Sequence, residues 1–571
     1  MNALLRTKSI RQVMSQPPDE EGHHTGLKRV LGAKDLIALG IGAIIGAGIF
    51  ATTGTAAAGG GGHLGAGPAV TISYILVAIA CGFCALCYAE FASVIPIAGS
   101  AYTYAYVTLG ELAAWIIGWD LILEYAVGNV AVAISWAGYF ASFVRGFGIH
   151  ISDKFMTATT ISLQEGHGFA MNLPALGIVL LMTVLLVRGV KESVNFNNFV
   201  VLIKLAVLVF FVGLGFVYVE PANWNNFAPN GWKGIHQAAS VIFFAYIGFD
   251  AVSTAAEETE NPEKNLPIGM IGSLVICTIL YILISLVMTG MAPWNQLGTA
   301  DPMATALEIV QGRPGLSAQS MHVLSISHFV VTVGALFSMT AVLLVFQLGQ
   351  PRIFFSMARD GLLPKFFAAV HPVYQTPHVT TILTGVLVAG AAAFMDIAIV
   401  IDLCNIGTLF AFVIVCAAVL LLRFRDGRKS VSPDRPYQSS ANCTLVLALL
   451  LAFWGVTSGH LGDQLTAALC TPIALWVGVS FRGLAKASGR PFTAPFAPLT
   501  PMLGIVTCVW LMMASPVMTW IRFFVWLAVG LVIYFVYGMK RSVLNNPDPE
   551  VNDVGFGHPA DDSGPKVTPE L

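Results

Sequence analysis

The sequence predicts an all-α integral membrane protein with about fourteen transmembrane helices. Three observations carry that expectation. Of 571 residues, 56% are hydrophobic and only 11% are charged, whereas soluble domains carry about a quarter charged residues. Runs of roughly 17–25 apolar residues recur along the chain, each long enough to cross a bilayer. Two of these runs are interrupted by glycine, Gly40-Ile-Gly-Ala-Ile-Ile-Gly-Ala-Gly-Ile-Phe50 and Phe243-Phe-Ala-Tyr-Ile-Gly-Phe-Asp250. Exposed backbone is not tolerated in lipid, so an interrupted helix there must line a cavity or be covered by protein. Interrupted helices at matching positions of two halves point to a transporter's central binding site.

The expected spans are 33–57, 69–95, 112–144, 173–189, 196–219, 235–258, 267–291, 322–357, 378–395, 399–422, 443–459, 465–482, 500–515 and 518–539. The third and eighth are long and should tilt. The last four are the shortest. The first ten divide five and five, and each half opens with an interrupted helix. An odd number of spans per half inserts the second half upside down, which is an inverted-topology repeat. Residues 33–219 form the first five-helix repeat and 234–424 the second. Residues 443–541 supply four peripheral helices, and 1–32 and 542–571 are tails. The first tail is polar, has no signal-peptide core and reads as mobile. From about Asn545 on, Pro, Asp and Gly dominate, a composition that resists folding.

Charge fixes the orientation. With the N-terminus and its Arg6, Lys8, Arg11, Lys28, Arg29 and Lys34 in the cytosol, that side collects Arg188, Lys191, Lys264, Arg352, Arg359, Lys365, the Arg423-to-Arg435 cluster, Arg482, Lys486, Arg490, Lys540 and Arg541. The outside keeps only Arg145, Lys154, Lys233, Arg313 and Arg522. An even number of spans then places both termini in the cytosol.

Several function classes fall away. The net charge of −2 gives no basic footprint for nucleic acid. No Gly-x-x-x-x-Gly-Lys-[Ser/Thr] phosphate loop is present, so ATP is not the direct energy source. No cluster of nucleophile, base or metal ligands at one membrane depth points to an enzyme, and no cofactor is implied. Cys81, Cys84 and Cys87 have a C-x-x-C-x-x-C spacing but no flanking histidine or carboxylate, and read as small packing residues in a membrane helix. No glycosylation sequon falls in an outside loop, which favours a bacterial inner membrane. The tails are too short for a sensor with a soluble output region. The sequence is silent on oligomeric state.

The Gly40-to-Phe50 segment resembles the first-helix signature of the amino acid–polyamine–organocation transporters. Phe244-to-Asp250, Glu257-Glu-Thr-Glu-Asn-Pro262, Leu266-Pro-Ile-Gly-Met270 and Pro351-Arg-Ile-Phe-Phe-Ser-Met-Ala-Arg-Asp-Gly-Leu-Leu-Pro364 are similar to the cationic amino acid transporter branch. The resemblance covers about residues 30–540. It implies a LeuT-like core with discontinuous helices 1 and 6, and secondary transport of amino acids by alternating access. The branch includes bacterial carriers of neutral amino acids, so the motifs do not settle the substrate. A cationic amino acid or polyamine carrier, an exchanger and a transporter-like sensor are the alternatives.

A broken helix can hold both ends of an amino acid without a charged side chain. The start of a half-helix offers unpaired N–H groups and positive dipole charge to a carboxylate. Unwound residues leave carbonyl oxygens for an ammonium. Gly46-Ala47-Gly48 allows close backbone approach. By resemblance, the N–H groups of Ala47 and Gly48 hold the carboxylate. The carbonyls of Ile44, Phe244, Ala245 and Ile247 hold the ammonium. Relatives often carry a hydroxyl where Ala47 stands. Helix packing through Gly42 and Gly46 is the competing reading for the first segment.

Lys204 lies about nine residues inside its helix, roughly 14 Å deep. A central lysine costs about 2.5–3.5 kcal/mol on insertion scales and usually marks function. Resemblance makes it the stand-in for the cation of sodium-coupled relatives. Either it exchanges a proton and couples transport, or it is a static ammonium tying the unwound segment. Asp250 either caps the following half-helix or senses substrate charge. Glu124 lies near mid-membrane and is a functional candidate or a structural hydrogen bonder. Glu257 and Glu258 read as gate or interface residues. Ser338, Met339 and Thr340 stand where relatives meet the substrate side chain, and Met339 is bulky, flexible and uncharged. No anion is obviously placed to pair with a second positive charge, unless Asp250 or Glu124 faces inward. The expectation is therefore proton-coupled uptake of small neutral amino acids, with an amino acid, a proton and membrane lipid as partners.

Overall fold

The computed structural model describes residues 6–8, 30–94, 100–158, 169–189, 194–371, 373–374, 376–429, 437–482, 484 and 492–545. With no water to satisfy backbone polar groups in a bilayer core, helix is the economical answer for an apolar chain, and helix dominates. The helices are α1 Ala33–Ile44, α2 Thr53–Ala58, α3 Val70–Val94, α4 Ser100–Thr108, α5 Glu111–Arg145, α6 Leu173–Arg188, α7 Val194–Val217 and α8 Gly231–Ile242. They continue with α9 Pro262–Met291, α10 Pro302–Gln311, α11 Ala318–Arg359, α12 His378–Phe394, α13 Ile397–Lys429, α14 Gln438–Thr457, α15 Leu461–Phe481, α16 Leu499–Met512 and α17 Val517–Ile533. Proline opens α9 and α10, where its missing N–H costs nothing.

Among the described residues, ten helices are long and apolar enough to cross a membrane, eleven if one bent pair counts as a single span. That pair is Ala33–Ile44 with Gly48–Ala58, bent by 42°. Three further apolar helices, α6, α12 and α16, are shorter. The chain is thus a multi-pass, all-α membrane protein. A two-stranded hairpin, Gly59–Gly60 with His63–Leu64, and the short helices α4 and α10 were not anticipated by the span pattern.

Packing follows the small residues. Helix α9 lies against α1 and α3, and α5 lies between α11 and α13. Helix α17 is clipped to α5 by tryptophans. Trp119 donates to the Trp526 carbonyl at 2.9 Å, Trp526 donates back to the Trp119 carbonyl at 3.3 Å, and the rings stack at 4.5 Å. Gly530 makes room, since a Cβ there would meet the Trp119 ring at 2.4 Å.

The expectation of a mobile N-terminal tail needs correction at residues 6–8. The Arg6 carbonyl accepts from the Glu111 N–H at 2.9 Å, and the Lys8 ammonium pairs with Asp360 at 2.5 Å. Tyr102 donates to the other oxygen of Asp360 at 2.6 Å. A tail that carries cations can dock wherever a helix end leaves a carboxylate, and composition alone does not show that. Asn545 is likewise held, accepting from Arg6. The remainder of the expected C-terminal tail, 546–571, lies outside the described residues, as do 9–29.

Candidate functional site

Both interrupted segments are interrupted in space. Helix α1 stops at Ile44, and Ile45 turns extended at φ −76°, ψ 102°. A π-helical turn then restarts at Gly48–Thr52 and continues into α2. The second segment runs from α8 into a 3-10 turn, Phe243–Tyr246. Ile247 is extended, Gly248 takes φ +116°, and a ten-residue 3-10 helix, Phe249–Glu258, follows. Such a long 3-10 stretch is uncommon and marks a segment under functional or packing constraint. Only glycine adopts the Gly248 conformation readily.

The two breaks cross each other at backbone contact. A Cβ on Gly48 would lie 2.3 Å from the Ala245 Cα, and one on Gly248 would lie 2.9 Å from the Ala43 carbonyl. Glycine is therefore required on both sides of the crossing. Gly46 is pressed by Val342 of α11 in the same way, at 2.9 Å. The ends of the two segments away from the crossing are strapped as well. The N–H groups of Val30 and Leu31 donate to the Glu258 carbonyl at 2.9 and 3.0 Å, and the Glu260 N–H donates to the Leu31 carbonyl at 3.0 Å.

Breaking α1 frees carbonyls that a continuous helix would use four residues on. Those of Gly42, Ile44 and Ile45 find side-chain donors. Lys204 of α7, 1% exposed, donates to the carbonyls of Gly42 at 2.8 Å and Ile45 at 3.1 Å. Ser338 of α11 donates to Ile45 at 3.3 Å. The Tyr281 hydroxyl of α9 lies 3.2 Å from the Ile44 carbonyl and 3.0 Å from the Ala245 carbonyl. One hydroxyl thus bridges carbonyls from both breaks. Tyr281 also packs with Tyr74 and Tyr246, ring centroids 5.4 Å apart in each case.

On the donor side, the first N–H groups of a helix have no partner within it. At the restart after the first break these belong to Ala47, Gly48 and Ile49. The half-helix is anchored to its surroundings: Tyr139 of α5 donates to the Phe50 carbonyl at 2.7 Å, and Thr53 pairs with Tyr74 at 2.6 Å. The structure therefore brings Ile44, Gly46, Ala47, Gly48, Phe244, Ala245, Ile247 and Lys204 to one crossing, with Met339 fully buried on α11. Thr340 turns away, accepting from Trp136 at 3.0 Å.

The acids lie further along. Asp250 is buried at the start of the 3-10 segment that follows the second break. Glu124 is buried on α5, and its backbone carbonyl lies 3.7 Å from the Cys404 sulfur of α13. The side chain of Glu257 lies outside the described residues. Three partners of this region escaped the sequence reading. Tyr281 and Val342 look like ordinary residues of apolar helices. Asp120, one turn before Glu124, is 2% exposed, and neither carboxylate oxygen has a hydrogen-bond partner among the described residues. A second carboxylate inside the same apolar run was the available signal.

Comparison with known proteins agrees with this geometry. The amino acid permease family matches residues 31–479, and the separate family for the permease C-terminus matches 492–542. The chain is 41% identical to the methylthioribose transporter of Bacillus subtilis (strain 168), over 95% of this chain and 100% of that one. It is also 41% identical to the branched-chain amino acid permease BcaP of the same organism, over 95% and 99%. Cationic amino acid transporter 4 of Homo sapiens is 31% identical over 95% and 92%. Two crossed, interrupted helices in a multi-pass bundle, matched by the family over most of the chain, place this protein in the amino acid permease family of membrane transporters.

Proposed function

We propose that the protein takes up small neutral L-amino acids across a bacterial plasma membrane by proton-coupled alternating access. The observation that carries the reading is the backbone crossing of the two breaks, Gly48 on Ala245 and Gly248 on Ala43. It sets half-helix N–H groups and unwound carbonyls close together, the two chemistries that an α-amino acid presents. The N–H groups of Ala47 and Gly48 take the carboxylate. The carbonyls of Ile44, Phe244, Ala245 and Ile247 take the ammonium, with Tyr281 giving up its hold on Ile44 and Ala245 as substrate arrives. In this structure the residues of the crossing are buried, so entry and exit require helix movement.

The architecture behind the reading is a pair of inverted five-helix repeats, 33–219 and 234–424. Helices α6 and α12 count as short spans, and α14 to α17 are peripheral. Both termini then lie in the cytosol. Reporter fusions at the two ends should both give cytosolic signals, and an external signal at either end contradicts the fourteen-span arrangement.

Selectivity falls to what meets the substrate side chain. Met339 is buried and apolar, and a desolvated second ammonium without a partner is costly. Uptake of radiolabelled alanine into proteoliposomes should respond to an inward proton gradient and be competed by small neutral amino acids, not by arginine. Met339→Ser should widen the pocket and admit longer or charged side chains. Strong arginine competition in the parent rejects the neutral preference, and an unchanged profile in the variant removes Met339 from the pocket. A neutral thioether sugar is the second reading, favoured by the 41% identity to a methylthioribose transporter. Competition by methylthioribose in place of alanine would select it.

A further inference from the structure

Three cysteines from distant parts of the chain meet inside the bundle. Cys84 of α3 lies 3.4 Å, sulfur to sulfur, from Cys508 of α16, and 4.0 Å from Cys416 of α13. All three are free thiols with no exposed surface. Gly504, one turn before Cys508, makes the space: a Cβ there would come 2.7 Å from the Cys416 sulfur and 3.7 Å from that of Cys84. The thiols therefore lie where α16 presses most closely on α3 and α13. Helix α16 belongs to the C-terminal stretch matched separately from the permease body, so the contact spans the two family segments.

We propose that Cys84 and Cys508 are an intramembrane dithiol that a neutral hydroperoxide oxidises to a disulfide, tying α3 of the permease body to α16. Closing the pair from 3.4 Å to a bond of about 2.05 Å needs a shift of about 1.4 Å. The chemistry is balanced in two steps. One thiol attacks the peroxide O–O bond, giving a sulfenic acid and an alcohol. The second thiol displaces water from that sulfenic acid and forms the S–S bond. Two thiols lose two electrons and two protons, and the hydroperoxide becomes an alcohol and water. Reactants and product are uncharged, so the apolar interior solvates no net charge between start and finish. A neutral, apolar oxidant also partitions into the membrane interior around the bundle, which ionic reagents do not enter.

Cross-linking rests on geometry alone. Its effect on transport rests on the amino acid reading, because Tyr74 of α3 contacts Tyr246 of the second break and Thr53 of the half-helix after the first. The test uses the full chain in proteoliposomes treated with cumene hydroperoxide, quenched by alkylation and mapped by peptide mass spectrometry. The expected result is a Cys84–Cys508 linked peptide that dithiothreitol removes, with alanine uptake lost on oxidation and regained on reduction. Cys508→Ala and Cys508→Ser should each give no linked peptide and keep uptake under peroxide. Absence of the linked peptide in the parent, or a Cys84–Cys416 link in its place, overturns the assignment whatever the substrate proves to be. A linked peptide with full uptake overturns the tie as a brake on transport.

Discussion

Lys204→Ala is expected to abolish proton-driven accumulation of substrate while the protein still inserts and can be purified. Its ammonium donates to the carbonyls of Gly42 and Ile45, both exposed by the first break. Removing it leaves buried carbonyls short of a donor, at about 1–3 kcal/mol for each one unsatisfied. It also removes the charge that links α7 to α1. If Lys204 exchanges the coupling proton, its bonds to the unwound segment change with each cycle, and the broken helix senses the gradient directly. Uptake in proteoliposomes with and without an inward proton gradient separates the possibilities. Loss of gradient response with residual exchange identifies coupling. Accumulation with an unchanged gradient response removes Lys204 from it.

Gly48→Ala should be nearly as damaging, although it adds a single methyl group. The added Cβ would sit 2.3 Å from the Ala245 Cα, and backbone cannot rotate out of the way as a side chain can. Overpacking of this kind costs about 1–3 kcal/mol in ordinary cores. Here the strain falls on the crossing proposed as the substrate site. Alanine uptake should drop to background, with a lowered melting temperature. Gly82→Ala is the control, because a Cβ there meets nothing within 4 Å. Full uptake by the Gly48 variant would mean that the breaks need not touch.

The parts of this molecule that a sequence shows are those with a local cause. Gly46, Gly48 and Gly248 mark the breaks because two apolar runs are interrupted by glycine at matching places in the two halves, which helix packing through small residues does not by itself require. Lys204 stands out for its charge. What stays hidden depends on contacts between distant segments. Tyr281 is one aromatic residue in a thirty-residue helix, and only the fold shows that its hydroxyl meets Ile44 and Ala245 together. Cys84 was visible as part of a cysteine run, but its partners Cys416 and Cys508 lie 332 and 424 residues away. The 3-10 geometry of Phe249–Glu258 was likewise illegible, since its residues are compatible with an α-helix. Asp120 could have been found from its charge alone. Its carboxylate, which has no hydrogen-bond partner among the described residues, makes it the natural next candidate for substitution.

The central claim is that backbone at the two breaks reads the carboxylate and the ammonium of one substrate. Thermal unfolding of the purified protein tests this most directly, because a ligand that binds the folded state raises the melting temperature. The ligands to compare are alanine, propionate, which lacks the ammonium, alaninamide, which lacks the carboxylate, and methylthioribose, which lacks both. Of these four, alanine alone is expected to stabilise the protein. Equal stabilisation by propionate or alaninamide, or stabilisation by methylthioribose without alanine, would contradict it.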